Sequence, residues 1–346
     1  MYSLNFDYFG TIINIEVNDN LLIKKIKEKY IPIMDICSTN NIYYKIILYK
    51  KMIKFNRNNR YKRELIHGGK RSEYYITGLF RNLGSNKEIF IEKYNVLVYI
   101  NYNEKIIYCS GNNNNGLVET LELILIELVY RYREFFYDSL HIHASGISNQ
   151  NHNCILFIGE KNSGKTTCLL ESLLKLNKNY VCNDNCMIEQ NSESIDVIPW
   201  FEDLKVKINS IKKYNIKMEK EYEYKHSYDN SKLFIPVSTF LRNNSIIPDK
   251  RAILYSIVCP KFSADTNGKV TKIRMNFDEF LNYVNIPHDN EHANFLNILD
   301  EFDEHRFLCC HKLFLEMEKK VDFFILEYND NNLNKVLNNL FEIINF

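Results

Sequence analysis

Glycine and proline are scarce in this chain, at 11 and 6 of 346 residues. Collagen-like, linker-rich and low-complexity architectures each need far more of one or both, so they are excluded. Charge of one sign is also missing: Lys+Arg 44 against Asp+Glu 43 leaves +1, with no global attraction to nucleic acid or an acidic membrane. No stretch approaches the ~20 apolar residues of a membrane span, and the longest run, 121–130, is interrupted by Glu122 and Glu127. The first residues lack a basic segment followed by an apolar one, so no secretory signal is expected and the expected location is cytoplasmic. Nine cysteines, an odd number without such a signal, argue against a disulfide framework. What is abundant is Asn, Ile, Lys, Tyr and Phe, the mark of an AT-rich genome. The asparagine clusters at 112–115 and 331–332 are therefore expected to be solvated turns and nothing more.

With 45% hydrophobic and 25% charged residues, the chain is ordinary for a soluble globular protein of about two domains. Alternation over 2–17, 42–54 and 89–108 predicts half-buried strands, and 21–30 a short helix. The run from Gly111 to Gly116, four asparagines between two glycines, is a strong breaker. Leu121, Leu123, Ile124 and Leu128 then predict an amphipathic helix over 117–137, about five to six turns long. The expected division is an α+β domain over 1–115 and an α/β domain over 116–346. Within the second, 141–148 predicts a strand, 150–153 a polar turn, 154–158 a continuous apolar strand, 167–176 a helix and 180–182 a further strand.

Between that apolar strand and that helix lies Gly159-Glu160-Lys161-Asn162-Ser163-Gly164-Lys165-Thr166, followed by Thr167. It fits G-x-x-x-x-G-K-[ST] without a mismatch. The chemistry explains the residue types. Glycines let the backbone curl so that its N–H groups converge on phosphate oxygens, and the helix adds its positive end. Lys165 can reach the β- and γ-phosphates, and the Thr166 hydroxyl can ligate Mg²⁺. ATP and Mg²⁺ are the cofactors implied. The loop does not name the reaction, but ABC-type ATPases and GTPases are excluded because neither a Ser-Gly-Gly nor an Asn-Lys-x-Asp signature occurs. Small-molecule kinases usually open with such a loop, whereas 158 residues precede this one.

The combination of His141-Ile142-His143-Ala144-Ser145-Gly146, the loop, and Tyr180-Val181-Cys182-Asn183-Asp184 resembles the HPr serine kinase family and its relatives that modify ribosomally made peptides, including lasso-peptide kinases. The likeness is clear over 140–190 and faint over 191–260. It implies a P-loop nucleotide-binding domain of the HPr kinase C-terminal kind and transfer of a phosphoryl group to a peptide or protein side chain, with serine the expected acceptor. It assigns catalytic roles to Asp184, Lys165 and His143, cofactor binding to 159–167, and metal binding to Thr166 and Asp184. Residue chemistry agrees for Asp184. A crossover brings the strand after the loop's helix close to the first strand, so a carboxylate at its end lands near the γ-phosphate. Two departures are visible. The family's paired aspartates are Asn183-Asp184 here, and no glutamate-and-arginine signature of the bacterial HPr kinases is found downstream, which points to an acceptor other than HPr.

Weaker signals remain. Segment 45–71 carries ten basic residues, among them Lys45, Arg57, Arg60, Lys62 and Arg63, against Glu64 alone; 278–304 carries eight acids and no Lys or Arg. Solvated faces are the ordinary reading. A peptide-docking surface, or two patches meeting across a domain or homo-oligomer boundary, are the sharper ones. His288-x-x-x-His292 with Glu291 imitates helical zinc spacing, but Pro287 suggests a turn instead. Cys182 and Cys186 read as buried thiols, Cys309-Cys310 as packing, and Trp200 as a core or pocket aromatic. The rival functions are a plain NTPase and a nucleotide-dependent accessory protein presenting a precursor peptide to a partner enzyme.

Overall fold

The computed structural model describes the chain except residues 32–33, 40, 54, 56–60, 68–75, 161, 201, 220–224, 227–230, 284–294 and 299–303. Among the sites expected from sequence, Lys161, most of the basic segment's centre and the His288/His292 pair lie outside the described residues.

The chain is mixed α/β, in two units. Among the described residues the first is built on nine strands: β1 (Tyr2–Tyr8), β2 (Thr11–Val17), β3 (Asp35–Ile36), β4 (Tyr44–Lys50), β5 (Lys62–His67), β6 (Ile76–Leu83), β7 (Asn86–Ile91), β8 (Val96–Asn101) and β9 (Ile106–Gly111). They pair in the order β3-β1-β2-β4-β9-β8-β7-β6-β5, antiparallel except β2 with β4 and β4 with β9. The β1–β2 hairpin turns on Phe9 and Gly10, both at positive φ, which matches the right-handed twist of paired strands. Helix α1 (Asn20–Tyr30) is capped by Asp19, whose side chain accepts from Leu22 N–H, and buries Leu22, Ile23, Ile26 and Tyr30. Helix α2 (Asn114–Phe136) starts with the Asn113 side chain accepting from Gly116 N–H. That asparagine is a cap and not merely a solvated turn.

Helix α2 packs on β2, β4, β8, β9 and α1, so the first unit extends to Tyr137 and not to residue 115. The expected boundary followed the asparagine-rich breaker, which begins a helix belonging to the sheet before it. The second correction is a return of the chain. The first unit also takes in Ile286–Asp303, where Phe295 and Leu296 are buried and their carbonyls accept from Lys87 Nζ (2.9 Å) and Tyr102 Oη (2.6 Å).

The second unit spans Asp138–Asn285 and Glu304–Phe346. Its main sheet contains β10 (Leu140–Ile142), β11 (Ala144–Ser148), β12 (Asn153–Ile158), β13 (Asn179–Cys182), β14 (Cys186–Gln190), β15 (Ile195–Pro199) and, further along, β19 (Ala252–Phe262), β20 (Lys269–Ile273) and β21 (Asp322–Tyr328). The order is β10-β14-β15-β19-β12-β11-β13, with β21 on β19 and β20 on β21. A smaller sheet orders β16 (Leu204–Lys207), β18 (Lys232–Ile235) and β17 (Lys225–His226) as β16-β18-β17. Helices α3 (Lys165–Lys175), α4 (Ile208–Lys213), α5 (Val237–Asn244), α6 (Phe277–Leu281), α7 (Glu304–Lys320) and α8 (Leu333–Ile343) complete it. Cys154 to Ile158 are all buried, as a central strand parallel to β19 requires.

Two local expectations change. The single strand expected over 141–148 is two, because β10 pairs with β14 while β11 pairs with β12 and β13; the chain changes partners at His143. Strand β13 is parallel to β12 but not its neighbour, since β11 lies between them, antiparallel to both. No helix is long and apolar enough to cross a membrane among the described residues.

Candidate functional site

The order of strands explains why His143, the glycine loop and Asp184 share one edge of the second unit's sheet. Strand β11 begins where β12 ends, Ala144 opposite Ile158, and β13 ends opposite Gly146. The residue before β11, the loop after β12 and the turn after β13 therefore all leave the same side. This is the carboxyl edge of the parallel strands, the usual ligand edge of α/β sheets.

The loop leaves β12 through Gly159 (φ +152°) and enters α3 through Gly164 (φ +108°), with Asn162 also at positive φ (70°). These glycines are sterically required. A Cβ at Gly159 would lie 2.6 Å from Ser163 Oγ, and one at Gly164 only 1.8 Å from Tyr328 Oη. The Tyr328 hydroxyl, at the end of β21, hydrogen-bonds the Thr167 side chain. Ser163 N–H donates to Glu160 O (3.1 Å), closing the turn. The first turn of α3 has no side-chain cap, so its amides offer the positive end of the helix to an anion. Lys165 is 6% exposed, and its ammonium donates to Gly159 O (2.7 Å) and Glu160 O (3.2 Å), bridging the loop it would serve. A narrow glycine cradle, a helix N-terminus and a lysine at its rim fit the polyphosphate of ATP, and the Thr166 hydroxyl fits Mg²⁺.

Across from the loop, Asn183 and Asp184 have different partners. Asn183 is fully buried, and its Oδ1 accepts from Ser145 Oγ (3.1 Å) and Thr166 Oγ1 (3.4 Å). Asp184, at φ +69°, turns the chain out of β13, a conformation aspartate tolerates better than most residues. Its carboxylate lies 3.1 Å from Lys205 Nζ, on β16, and Lys205 is 3.5 Å from Glu202. Burial by itself would raise the Asp184 pKa, but Lys205, His143 and Lys165 together outweigh it and hold the group below its ordinary value. Glu202 goes the other way: burial and the charge of Asp184 push its pKa up against the pull of Lys205. The neighbouring Asn185 is buried and hydrogen-bonds both His141 Nε2 (2.8 Å) and the Glu202 carboxylate.

Of the residues expected from sequence, the structure brings the loop, Thr166, His143 and Asp184 to one edge, with Thr166 on Asn183 and Asp184 on Lys205. Trp200 is 2% exposed at the end of β15, a core side chain with no face for a base. Cys182 and Cys186 are buried at adjoining strand ends. All nine cysteines are among the described residues, and none forms a disulfide. No cluster of three or more His, Cys, Asp or Glu suited to a metal occurs among the described residues. Sequence reading missed Lys205, Glu202, Ser145 and Tyr328. Glu202 and Lys205 do follow Pro199-Trp200, inside the faintly similar stretch, but no spacing rule carries a strand of the smaller sheet to Asp184. Tyr328 is far away in sequence, and nothing local marks it.

No family model matches this sequence, and no curated protein matches it. Among solved structures, the Hpr(Ser) kinase/phosphatase from Coxiella burnetii is similar over 60% of this chain and 99% of its own, at 9% identity and a TM-score of 0.28. The functional reading accordingly rests on the residues of the site.

Proposed function

We propose that the second unit binds Mg·ATP and transfers the γ-phosphoryl group to a hydroxyl, serine by preference, of a peptide or protein. The single observation that carries this reading is the convergence of a strand–glycine loop–helix, with Lys165 and Thr166 at its rim, and the Asn183-Asp184 turn on one sheet edge. Bound Mg·ATP would supply the electrophilic γ-phosphorus, with ADP as the leaving group. The loop amides and Lys165 would hold the phosphates, and Thr166 would hold the metal. Asp184 orients the acceptor hydroxyl and takes its proton, with His143 close enough to bias the charge of that carboxylate. We place this chemistry in the cytoplasm, where nucleotide, Mg²⁺ and reduced thiols coexist.

The second reading, a nucleotide-dependent accessory protein or NTPase, is favoured by the ion pair on Asp184. A carboxylate held below its ordinary pKa is a weak base, better suited to orienting a hydroxyl than to deprotonating it. Mass spectrometry decides between them. The protein is incubated with Mg·ATP and serine-containing candidate peptides, including any short precursor encoded beside it. Phosphate on a peptide hydroxyl supports the kinase; steady ATP hydrolysis with no phosphopeptide supports the NTPase.

A further inference from the structure

We propose that Asn183 is a nucleotide-binding residue whose side-chain amide donates a hydrogen bond to a phosphate oxygen held by the 159–166 loop. The inference rests on the nucleotide reading of that loop and adds a contact to it. Asn183 is 0% exposed, and both hydroxyls beside it, Ser145 Oγ and Thr166 Oγ1, are spent on its carbonyl oxygen. Its Nδ2 is buried and has no hydrogen-bond partner among the described residues. A buried amide donor in that state is costly, and a ligand oxygen at the loop would complete it. Covalent geometry keeps Nδ2 beside Oδ1, and Oδ1 touches the second residue of α3. The donor therefore stands at the helix end whose first-turn amides lack a side-chain cap.

The chemistry of the surroundings selects the ligand. The helix N-terminus and the Lys165 ammonium make this place positive, and an N–H adds one more donor to it. An anion's oxygen satisfies all of them at once. Where an aspartate would add a negative charge and an acceptor for a metal, asparagine adds a donor for the phosphate itself. The opposite amide orientation would leave Oδ1 without a partner and suit a cation instead. The two arrangements predict opposite signs for the same isosteric substitution.

The test is titration calorimetry of ATP, with Mg²⁺ removed by EDTA, into the full chain, Asn183→Asp and Asn183→Ala, with thermal melts to check folding. The expected result is wild type tightest, Asn183→Ala weaker by about threefold to tenfold, and Asn183→Asp weaker by about tenfold or more, the scale of one hydrogen bond to a charged group. Asn183→Asp binding as tightly as wild type, or more tightly, overturns the proposal. Should Asn183→Asp fail to fold, unchanged affinity in a folded Asn183→Ala overturns it equally. A folded wild-type chain that binds no ATP with or without Mg²⁺ sinks the nucleotide reading itself, a result distinct from one in which wild type binds and both variants match it.

Discussion

Lys205 Nζ stands 3.1 Å from Asp184 Oδ2, tying a strand of the smaller sheet to the turn that follows β13. The pair is partly sheltered, with the two side chains 38% and 16% exposed. It lies between a surface ion pair, worth little, and a buried one, whose breaking is severe. Two consequences follow for the site. The carboxylate is aimed before any substrate arrives, and it stays charged down to low pH.

Replacing Lys205 with methionine should destabilise the folded chain by about 1–2 kcal/mol at neutral pH, midway between exposed and buried pairs. The sign of its pH dependence follows from Asp184. A carboxylate whose folded pKa is depressed below 3.8 contributes stability that is present above that value and is lost as pH falls through the lower folded one. The advantage of wild type over Lys205→Met should therefore shrink as pH falls through the acid range, where Asp184 and Glu202, both paired with Lys205, take up protons. Urea unfolding at a series of pH values checks this, and a difference that ignores pH counts against the ion pair.

Lys165→Ala should leave the fold intact, because the ammonium's hydrogen bonds to Gly159 O and Glu160 O lie within the loop itself, while ATP binding and turnover are lost. Circular dichroism and calorimetry on the same preparation are sufficient. A folded variant with unchanged ATP affinity removes the phosphate-loop reading.

Asp184→Asn should keep Mg·ATP binding but lose about 10²-fold or more in transfer rate, the scale of a positioned base. Single-turnover phosphorylation measured beside nucleotide titration separates the two effects. Equal loss of binding would make Asp184 a primary metal ligand, and full activity would leave the reaction without this base.

Gly164→Ala should cripple the loop for two separable reasons, the +108° backbone and the approach of Tyr328 Oη to 1.8 Å from the new Cβ. Removing the hydroxyl in Gly164→Ala/Tyr328→Phe relieves only the closest part of the second, leaving the ring Cζ 2.9 Å from the new Cβ and about 1–3 kcal/mol of backbone strain. Thermal melts should show partial recovery in the double variant, with ATP affinity still reduced. Complete recovery would mean that the backbone angle carries no cost.

In the first unit, burial raises the Glu127 pKa to about 7, with Arg131 and Lys87 opposing it incompletely. An acid whose folded pKa is raised binds its proton more tightly in the native state, so stability falls as pH rises from about 4.5 to about 7 and levels off above. The loss should be on the order of a few kcal/mol. Glu127→Gln should flatten that slope in denaturant titrations, and an unchanged slope would place its cause elsewhere.

Local signals carried much of this protein. The alternation over 2–17, the 3.6-residue spacing in α2, and the apolar run of β12 before a glycine loop each depend on neighbours within a few residues, so the sequence alone determines them. The loop's residue types are legible for the same reason, since a backbone that must reach positive φ at Gly159 and Gly164 excludes side chains there. Tertiary structure decided the rest. Whether α2 belonged to the sheet before it or the domain after it depended on which apolar face was left to cover, not on the asparagines at its start. The insertion of β11 between β12 and β13 is a choice of hydrogen-bonding partners over long separations, and no local pattern encodes it. The same choice put Asn183 on Thr166 and Asp184 on Lys205. Two adjacent residues of similar shape thus have different partners because a strand end points successive side chains to opposite sides, and only the packed sheets determine what waits on each side.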